Sequence, residues 1–408
     1  MEPLAPFELD ALRRDWIVGV SGEAFFAKVQ ENIESLKNGP GLEKVVVVPE
    51  QEPVEFAAFF FAAVWLGVPL ALANPKWVDA EQDQFDALIN EDGIERGSIL
   101  IPTGGTTGGV KLAIHTWSSL NASALAVWDF LGERGINSCC LLPLFHVSGL
   151  MQLVRSFVTG GTIRFDDSDV SDCCLSLVPT QLQRALANES SIRKMNTVQA
   201  IFVGGARIPD AVAAKVRELR LPVIPVYGMT ETAAMCAAVP NADFLEKPDA
   251  GAVPIGDATF SIEDDGRIRI RSTALFKGYC GQPSPDLSGG FVVNDEGHLD
   301  DEGRLHVAGR VDHLINTGGE KVDPLEVEST LLHLEGVTEA LVVGESNDEW
   351  GQAVVAYVVG NVPSHEHVWF KEQLSHRLAY YKIPKQVYVV ETLPLDARGK
   401  YLRPQQRS

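Results

Sequence analysis

Ser98-Ile-Leu-Ile-Pro-Thr103-Gly-Gly-Thr-Thr-Gly-Gly-Val-Lys111-Leu-Ala-Ile114 is the stretch around which the rest of the chain is ordered. One apolar run leads in and another leads out, which reads as strand, loop, strand. The four glycines between Thr103 and Lys111 permit backbone geometries closed to other residues and a close approach to a ligand. Free amides in such a loop form an anion-binding concavity, and threonine hydroxyls add donors. Lys111 supplies a compact positive charge. The stretch therefore predicts a phosphate grip, with a flexible surface turn as the plain alternative. Two familiar glycine motifs are excluded. A P-loop ends in Gly-Lys-Ser/Thr, whereas Val110-Lys111-Leu112 stands here, and no Gly-x-Gly-x-x-Gly spacing opens a helical pattern.

Outward from this loop the chain alternates helical and strand-like segments. Before it come helical runs near 25–36, 53–66 and 81–89, with an apolar strand at Lys44-Val-Val-Val-Val-Pro49. After it, strands are expected at 138–142, 162–165, 174–178, 200–204 and 223–226. Helices near 117–131, 150–159, 181–188 and 210–218 lie between them. Alternation of this kind indicates an α/β fold with a largely parallel sheet. From about Ala250 the pattern changes: Thr259–Arg271 alternates around Asp265-Gly266, a hairpin signature. Strands at 340–343, 353–359 and 386–390 and a helix at 367–378 then suggest an α+β unit. The expected architecture is a large N-terminal domain of layered α/β sheets plus a small β region, over 1–309. A small α+β C-terminal domain follows over 310–408.

The 408 residues suffice for more than one domain and an ample core. A net charge of −21 argues against nucleic acid or an anionic membrane as the main partner. The run 56–73 carries no charge, but Gly67 and Pro69 split it into a buried helix and a short strand, so no membrane insertion is expected. The N-terminus lacks the pattern of a signal peptide. Cys139, Cys140, Cys173, Cys174, Cys236 and Cys280 include no Cys-x-x-Cys pair and read as buried free thiols of a reducing, cytoplasmic compartment.

Several further stretches carry chemistry. His146, in Pro143-Leu-Phe-His-Val-Ser-Gly149, follows a strand's C-terminal end, where α/β sites gather, and reads equally as catalyst or packing residue. Arg155 lies on the next, mostly apolar helix. A buried arginine there needs an anionic partner, either a structural carboxylate or one belonging to a substrate. Val203-Gly-Gly-Ala-Arg207 is another close-approach turn. In Tyr227-Gly-Met-Thr-Glu231, the Tyr227 ring offers a face to a base, Thr230 a hydroxyl, and Glu231 a hard oxygen for Mg²⁺. Asp295 could accept both hydroxyls of a ribose. Two such turns at the ends of successive strands, downstream of a phosphate loop, make a nucleotide site.

Taken in order, these motifs resemble the adenylate-forming superfamily of acyl- and aryl-CoA synthetases, luciferases and peptide-synthetase adenylation domains. The resemblance runs from the 103–111 loop to Lys400. It implies that Thr103, Gly104, Gly105, Thr106, Thr107, Gly108 and Lys111 hold ATP phosphates. Gly204, Gly205, Ala206 and Tyr227 would flank adenine, with Gly228 beside both ATP and the acyl group. Asp295 and Arg310 would bind ribose. Thr230 would touch phosphate and acyl group, and Glu231 would bind Mg²⁺. Asp312 would be the hinge of a mobile C-terminal domain, and Gly318, Gly319 and Glu320 the loop presented for thioester formation. Lys400 would contact the carboxylate and α-phosphate during adenylation, completing a catalytic set with Glu231, Thr230 and His146.

Within that superfamily, Ile114-His-Thr-Trp117, Leu72-Ala-Asn-Pro-Lys-Trp77 and Leu144-Phe-His-Val-Ser-Gly-Leu150 are similar to the o-succinylbenzoate–CoA ligase family, in particular its compact cyanobacterial-type members. Val110 stands where the superfamily usually has proline, and Asn294 where it has glycine. This likeness implies an aromatic carboxylic acid, ATP and CoA as small-molecule partners in menaquinone or phylloquinone biosynthesis, with Arg155 and His146 in the acyl pocket. It leaves a homodimer open. The alternatives are another aryl- or acyl-CoA ligase for an anionic acid, a carrier-loading domain, or a relative that binds nucleotide without chemistry.

Overall fold

The computed structural model describes residues 3–39, 44–48, 52–75, 77, 79–103, 110–310, 315–317, 320–347, 350–362 and 366–395. The uncharged run folds as a helix, Pro53–Leu66, and a strand, Leu70–Leu72. Pro at the first helical position loses no bond, and Gly67 ends the helix in the left-handed region at φ +71°. Beyond Glu55 in its first turn the helix is apolar all round, because it is buried nearly all round. Among the described residues no helix is long and apolar enough to cross a membrane.

Four sheets organise the described residues. The first runs β1 (Val46–Val48), β2 (Leu70–Leu72), β3 (Ile99–Thr103) and β4 (Lys111–His115) in sequence order, parallel except for the antiparallel pairing of β4 on β3. The second comprises β5 (Ser138–Cys139), β6 (Ile163–Arg164), β7 (Cys174–Leu177), β8 (Ala200–Val203), β9 (Val223–Met229), β10 (Ala234–Ala238) and β11 (Val253–Pro254). Its order is β11-β10-β9-β8-β7-β5-β6, with β5 to β9 parallel and the last two strands antiparallel at one edge. The third is a meander of β12 (Thr259–Ile262), β13 (Arg267–Arg271), β14 (Phe291–Leu299) and β15 (Leu305–Arg310). The fourth contains β16 (Ile315–Thr317), β17 (Glu320–Val322), β18 (Val337–Asn347), β19 (Gly351–Gly360) and β20 (Gln386–Val389).

The first two sheets share an aromatic core. Phe157, on the helix Val147–Val158, meets Phe7, Trp16, Phe61 and Trp117 at ring centroid distances of 5.2, 5.5, 4.8 and 6.1 Å. Leu150, Leu153 and Val154 on that helix are wholly buried, so its position is fixed before any site residue is considered. Truncating a ring such as Phe61 to alanine costs about 3–5 kcal/mol. Gly149 lets the helix start against the preceding turn, since a Cβ there would lie 2.1 Å from the Pro143 carbonyl oxygen. Residues 315–389 have a separate core around Ile315, Val342, Val354 and Phe370. They touch the rest of the chain through an Arg184–Glu339 ion pair at 3.2 Å and a bond from the Asp210 amide to Ser329 Oγ at 3.3 Å.

The differences from the sequence reading are local. Strand β5 stops at Cys139 instead of continuing to Leu142, and β9 runs on to Met229 instead of ending at Val226. The short helices Glu189–Met195 and Asn241–Glu246 and strand β10 were not anticipated.

Candidate active site

Thr103 and Lys111 are register partners on β3 and β4, so the two ends of the 103–111 stretch lie side by side. Gly104, Gly105, Thr106, Thr107 and Gly108 lie outside the described residues, as do Asp312, Gly318, Gly319 and Lys400. Lys111 places its ammonium 5.8 Å from the ring centroid of Tyr279.

Opposite β4 lies the short 3₁₀ turn Thr230–Thr232. The Thr230 carbonyl meets Nε2 of His115 at 2.7 Å, and Nδ1 of the same ring meets Ser119 Oγ at 2.9 Å. A carbonyl only accepts, so Nε2 carries the proton and Nδ1 is an acceptor. His115 is wholly buried, and burial pushes its pKa down to about 4, which keeps the ring neutral. Tyr279 donates its hydroxyl to Glu231 Oε1 at 2.6 Å, and the Phe276 amide donates to the Glu231 carbonyl at 2.9 Å. Ala233 and Ala234, which close the turn, both adopt left-handed backbone, at φ +48° and +82°. The Thr232 hydroxyl meets the Ala234 carbonyl oxygen at 2.6 Å.

Tyr227 lies within β9, two residues before its end, and not in a loop beyond it. Its hydroxyl donates to Asp295 Oδ2 at 2.6 Å. Burial, then the Asp295 charge, drives the phenol pKa well above its ordinary value, so it remains a donor. Asp295 and Arg310 are register partners on β14 and β15, and the charge of Arg310 reaches both Tyr227 and Tyr279. Gly228 is glycine for a steric reason: a Cβ there would lie 1.9 Å from the Ala234 carbonyl oxygen. Gly204, Gly205 and Ala206 follow β8, beside β9, with Gly205 at φ +86°. Glu320 opens β17, paired with Thr317.

Arg155 and His146 occupy opposite ends of the helix Val147–Val158. His146 is its N-cap residue, 9% exposed, with its ring 4.3 Å from that of Phe145. Arg155 is 3% exposed. Its Nε donates to the Met151 carbonyl at 2.9 Å, and its guanidinium lies 5.6 Å from the Phe202 ring centroid. Burial brings its pKa down to about 10, against the opposing influence of Cys174 and Cys140. Burial also pushes both thiols up to about 12, so they are neutral and give the guanidinium no counter-charge. Among the described residues no carboxylate forms an ion pair with Arg155. The six cysteines are all buried and free.

The donor set near Glu231 fits Mg²⁺. One carboxylate with a hydroxyl neighbour, Thr230, suits an ion that retains water and takes phosphate oxygens. No cluster of three or more His, Cys, Asp or Glu side chains that could form a protein-only cage is present among the described residues.

Sequence reading missed Tyr279 and gave His115 no role. Both act across the fold, 48 and 115 residues from their partners.

Residues 94–280 match the AMP-binding enzyme family, and residues 326–400 match the AMP-binding enzyme C-terminal domain. The chain belongs to the AMP-binding enzyme family. It is 32% identical over 341 residues to the 2-succinylbenzoate–CoA ligase of Listeria monocytogenes, spanning 79% of this chain and 73% of that one. It is 33% identical over 341 residues to the enzyme of the same name from Geobacillus kaustophilus, spanning 76% and 69%. Its fold is similar to o-succinylbenzoate CoA synthetase of Bacillus subtilis in complex with the acyl-adenylate intermediate OSB-AMP, with a TM-score of 0.79, 27% identity, and 94% and 92% of the two chains covered. The Bacillus subtilis enzyme in complex with ATP and magnesium gives a TM-score of 0.80 at 26% identity, covering 98% of both chains.

Proposed function

We infer that the protein is an AMP-forming acid–thiol ligase that activates 2-succinylbenzoate with ATP and transfers the acyl group to CoA. The substrate is a dicarboxylic acid. The observation that carries this choice is Arg155, a buried guanidinium flanked by neutral thiols and an aromatic ring. A cation in that setting is costly unless an anion joins it. A planar guanidinium can hold a second carboxylate by two parallel hydrogen bonds while the first carboxylate reacts.

In the first half-reaction a carboxylate oxygen attacks the α-phosphorus of ATP, and the bond to pyrophosphate breaks. In the second, the sulfur of CoA attacks the activated carbonyl carbon and AMP departs. No covalent bond to the protein is needed, so its residues act by orientation and charge stabilisation. Lys111 and the loop at 103–111 hold the outer phosphates. Tyr227 flanks adenine, with Gly204, Gly205 and Ala206. Asp295 and Arg310 hold the ribose. Thr230 and Gly228 line the junction of phosphate and acyl group, and His146 borders the acyl pocket. Mg²⁺ on Glu231 would neutralise phosphate charge. Lys400 serves the first half-reaction. The C-terminal domain, 310–408, then turns about Asp312 and brings Gly318, Gly319 and Glu320 to the site for the second. The buried free thiols suit a reducing compartment such as the cytoplasm.

The test is CoA-thioester formation over a panel of aromatic and aliphatic acids. Preference for 2-succinylbenzoate over its single-carboxylate analogues is expected. A preference for a monocarboxylic acid would overturn the substrate and leave another aryl- or acyl-CoA ligase. Acyl transfer only to a carrier protein would overturn CoA as acceptor.

A further inference from the structure

We propose that Tyr279 is a positioning residue of the adenylation half-reaction, setting the metal-binding carboxylate of Glu231 and the ammonium of Lys111 relative to one another. The inference rests on the nucleotide site described above and adds a residue that no motif assigns to it.

The backbone of Tyr279 is tied to both partners. Tyr279 bridges Ala113 on β4 in antiparallel pairing. The Ile114 amide donates to the Gly278 carbonyl at 2.9 Å, the Lys277 amide to the Ile114 carbonyl at 2.7 Å, and the Cys280 amide to the Leu112 carbonyl at 2.9 Å. This pairing locks the segment to the strand that begins with Lys111. At its other end, the Phe276 amide bonds the Glu231 carbonyl at 2.9 Å, and the Phe276 ring supports that of Tyr279 edge-on at 4.9 Å. The side chain thus projects from a frame shared by the phosphate strand and the Thr230–Thr232 turn.

Its two chemical features have separate effects. The hydroxyl, 2.6 Å from Glu231 Oε1, occupies one carboxylate oxygen and directs the other toward a cation. Hydrogen bonds that orient a metal-binding carboxylate contribute about 10–100-fold in metal affinity. The ring, 5.8 Å from the Lys111 ammonium, attracts the cation without cancelling its charge.

The two features are separated by Tyr279→Phe, which keeps the ring, and Tyr279→Leu, which removes both. The measurement is binding of α,β-methylene-ATP by calorimetry without metal, followed by Mn²⁺ binding to the enzyme–nucleotide complex by electron paramagnetic resonance. Tyr279→Phe is expected to weaken Mn²⁺ binding about 10–100-fold and leave metal-free nucleotide binding unchanged. Tyr279→Leu is expected to weaken both. A double-mutant cycle guards against general damage: in a Glu231→Gln background, Tyr279→Phe should cost no further Mn²⁺ affinity. Equal Mn²⁺ affinity in wild type and Tyr279→Phe, or additive losses in the cycle, would overturn the proposal. Failure of the wild-type protein to bind the nucleotide analogue would instead overturn the nucleotide site itself.

Discussion

Tyr227 and Asp295 are joined by a 2.6 Å hydrogen bond across two sheets, the phenol on β9 and the carboxylate on β14. The surface proposed for adenine and the acceptor proposed for ribose are therefore a single unit. Replacing Tyr227 by Phe keeps the aromatic face and removes one hydrogen bond from a mostly buried carboxylate. A hydrogen bond to a charged group contributes about 1.5–3 kcal/mol. Tyr227→Phe should accordingly raise the KM for ATP about tenfold or more in ATP–pyrophosphate exchange, with little change in the KM for the acid. An unchanged KM for ATP would separate the pair from nucleotide binding.

His115 makes stability depend on pH. Its pKa falls from 6.5 to about 4 on folding because burial penalises the charged ring. Between those values the unfolded chain binds more protons than the folded one, so stability rises with pH across the window. The contribution is complete above pH 6.5 and is lost as the pH falls toward 4. At about 1.4 kcal/mol per pKa unit it amounts to roughly 3 kcal/mol. Urea unfolding should show about 2 kcal/mol of this loss between pH 7 and pH 5, and His115→Asn should show a smaller dependence. Parallel pH profiles for the two proteins would refute it.

Removal of Arg155 should have opposite effects on binding and stability. Arg155→Met deletes a buried cation with no ion-pair partner among the described residues, so the melting temperature should hold or rise. Affinity for a dicarboxylic acid should fall by roughly 3–5 kcal/mol, because the substrate's second carboxylate would enter an apolar pocket unpaired. An analogue with one carboxylate should be nearly indifferent to the change. Equal effects on both acids would place Arg155 outside the acyl pocket.

Lys400 provides a test of the two half-reactions. Lys400→Ala should abolish ATP–pyrophosphate exchange and spare thioester formation from preformed acyl-adenylate. The Arg184–Glu339 pair between the two parts of the chain is solvent-exposed on its arginine side, at 52%, and holds them only lightly. Equal loss in both half-reactions would contradict a C-terminal domain that changes position between them.

Much of this was visible in the sequence because the signals are local. The two strands that flank 103–111 and the helix ended by Gly67 each follow from residues adjacent in the chain. Arg155 was legible as well, since a cation on an apolar helix is conspicuous. The extension of β9 through Tyr227 was not, because it depends on β10. Ala234-Met-Cys-Ala-Ala238 is made mostly of small residues without polar alternation and gives no sign of pairing. His115 and Tyr279 were illegible for a different reason: their partners lie in other elements, and only the assembled sheets bring them together.

Ala233 and Ala234 stand in the left-handed region, where glycine would rest without steric penalty. The turn that presents Thr230 and Glu231 is thus a spring under tension, kept bent by the strands on either side. Glycine would relax it, but would also let it wander among several shapes. Alanine leaves the loop a narrower choice, so the carboxylate proposed to hold Mg²⁺ is kept in one place at a cost in backbone strain.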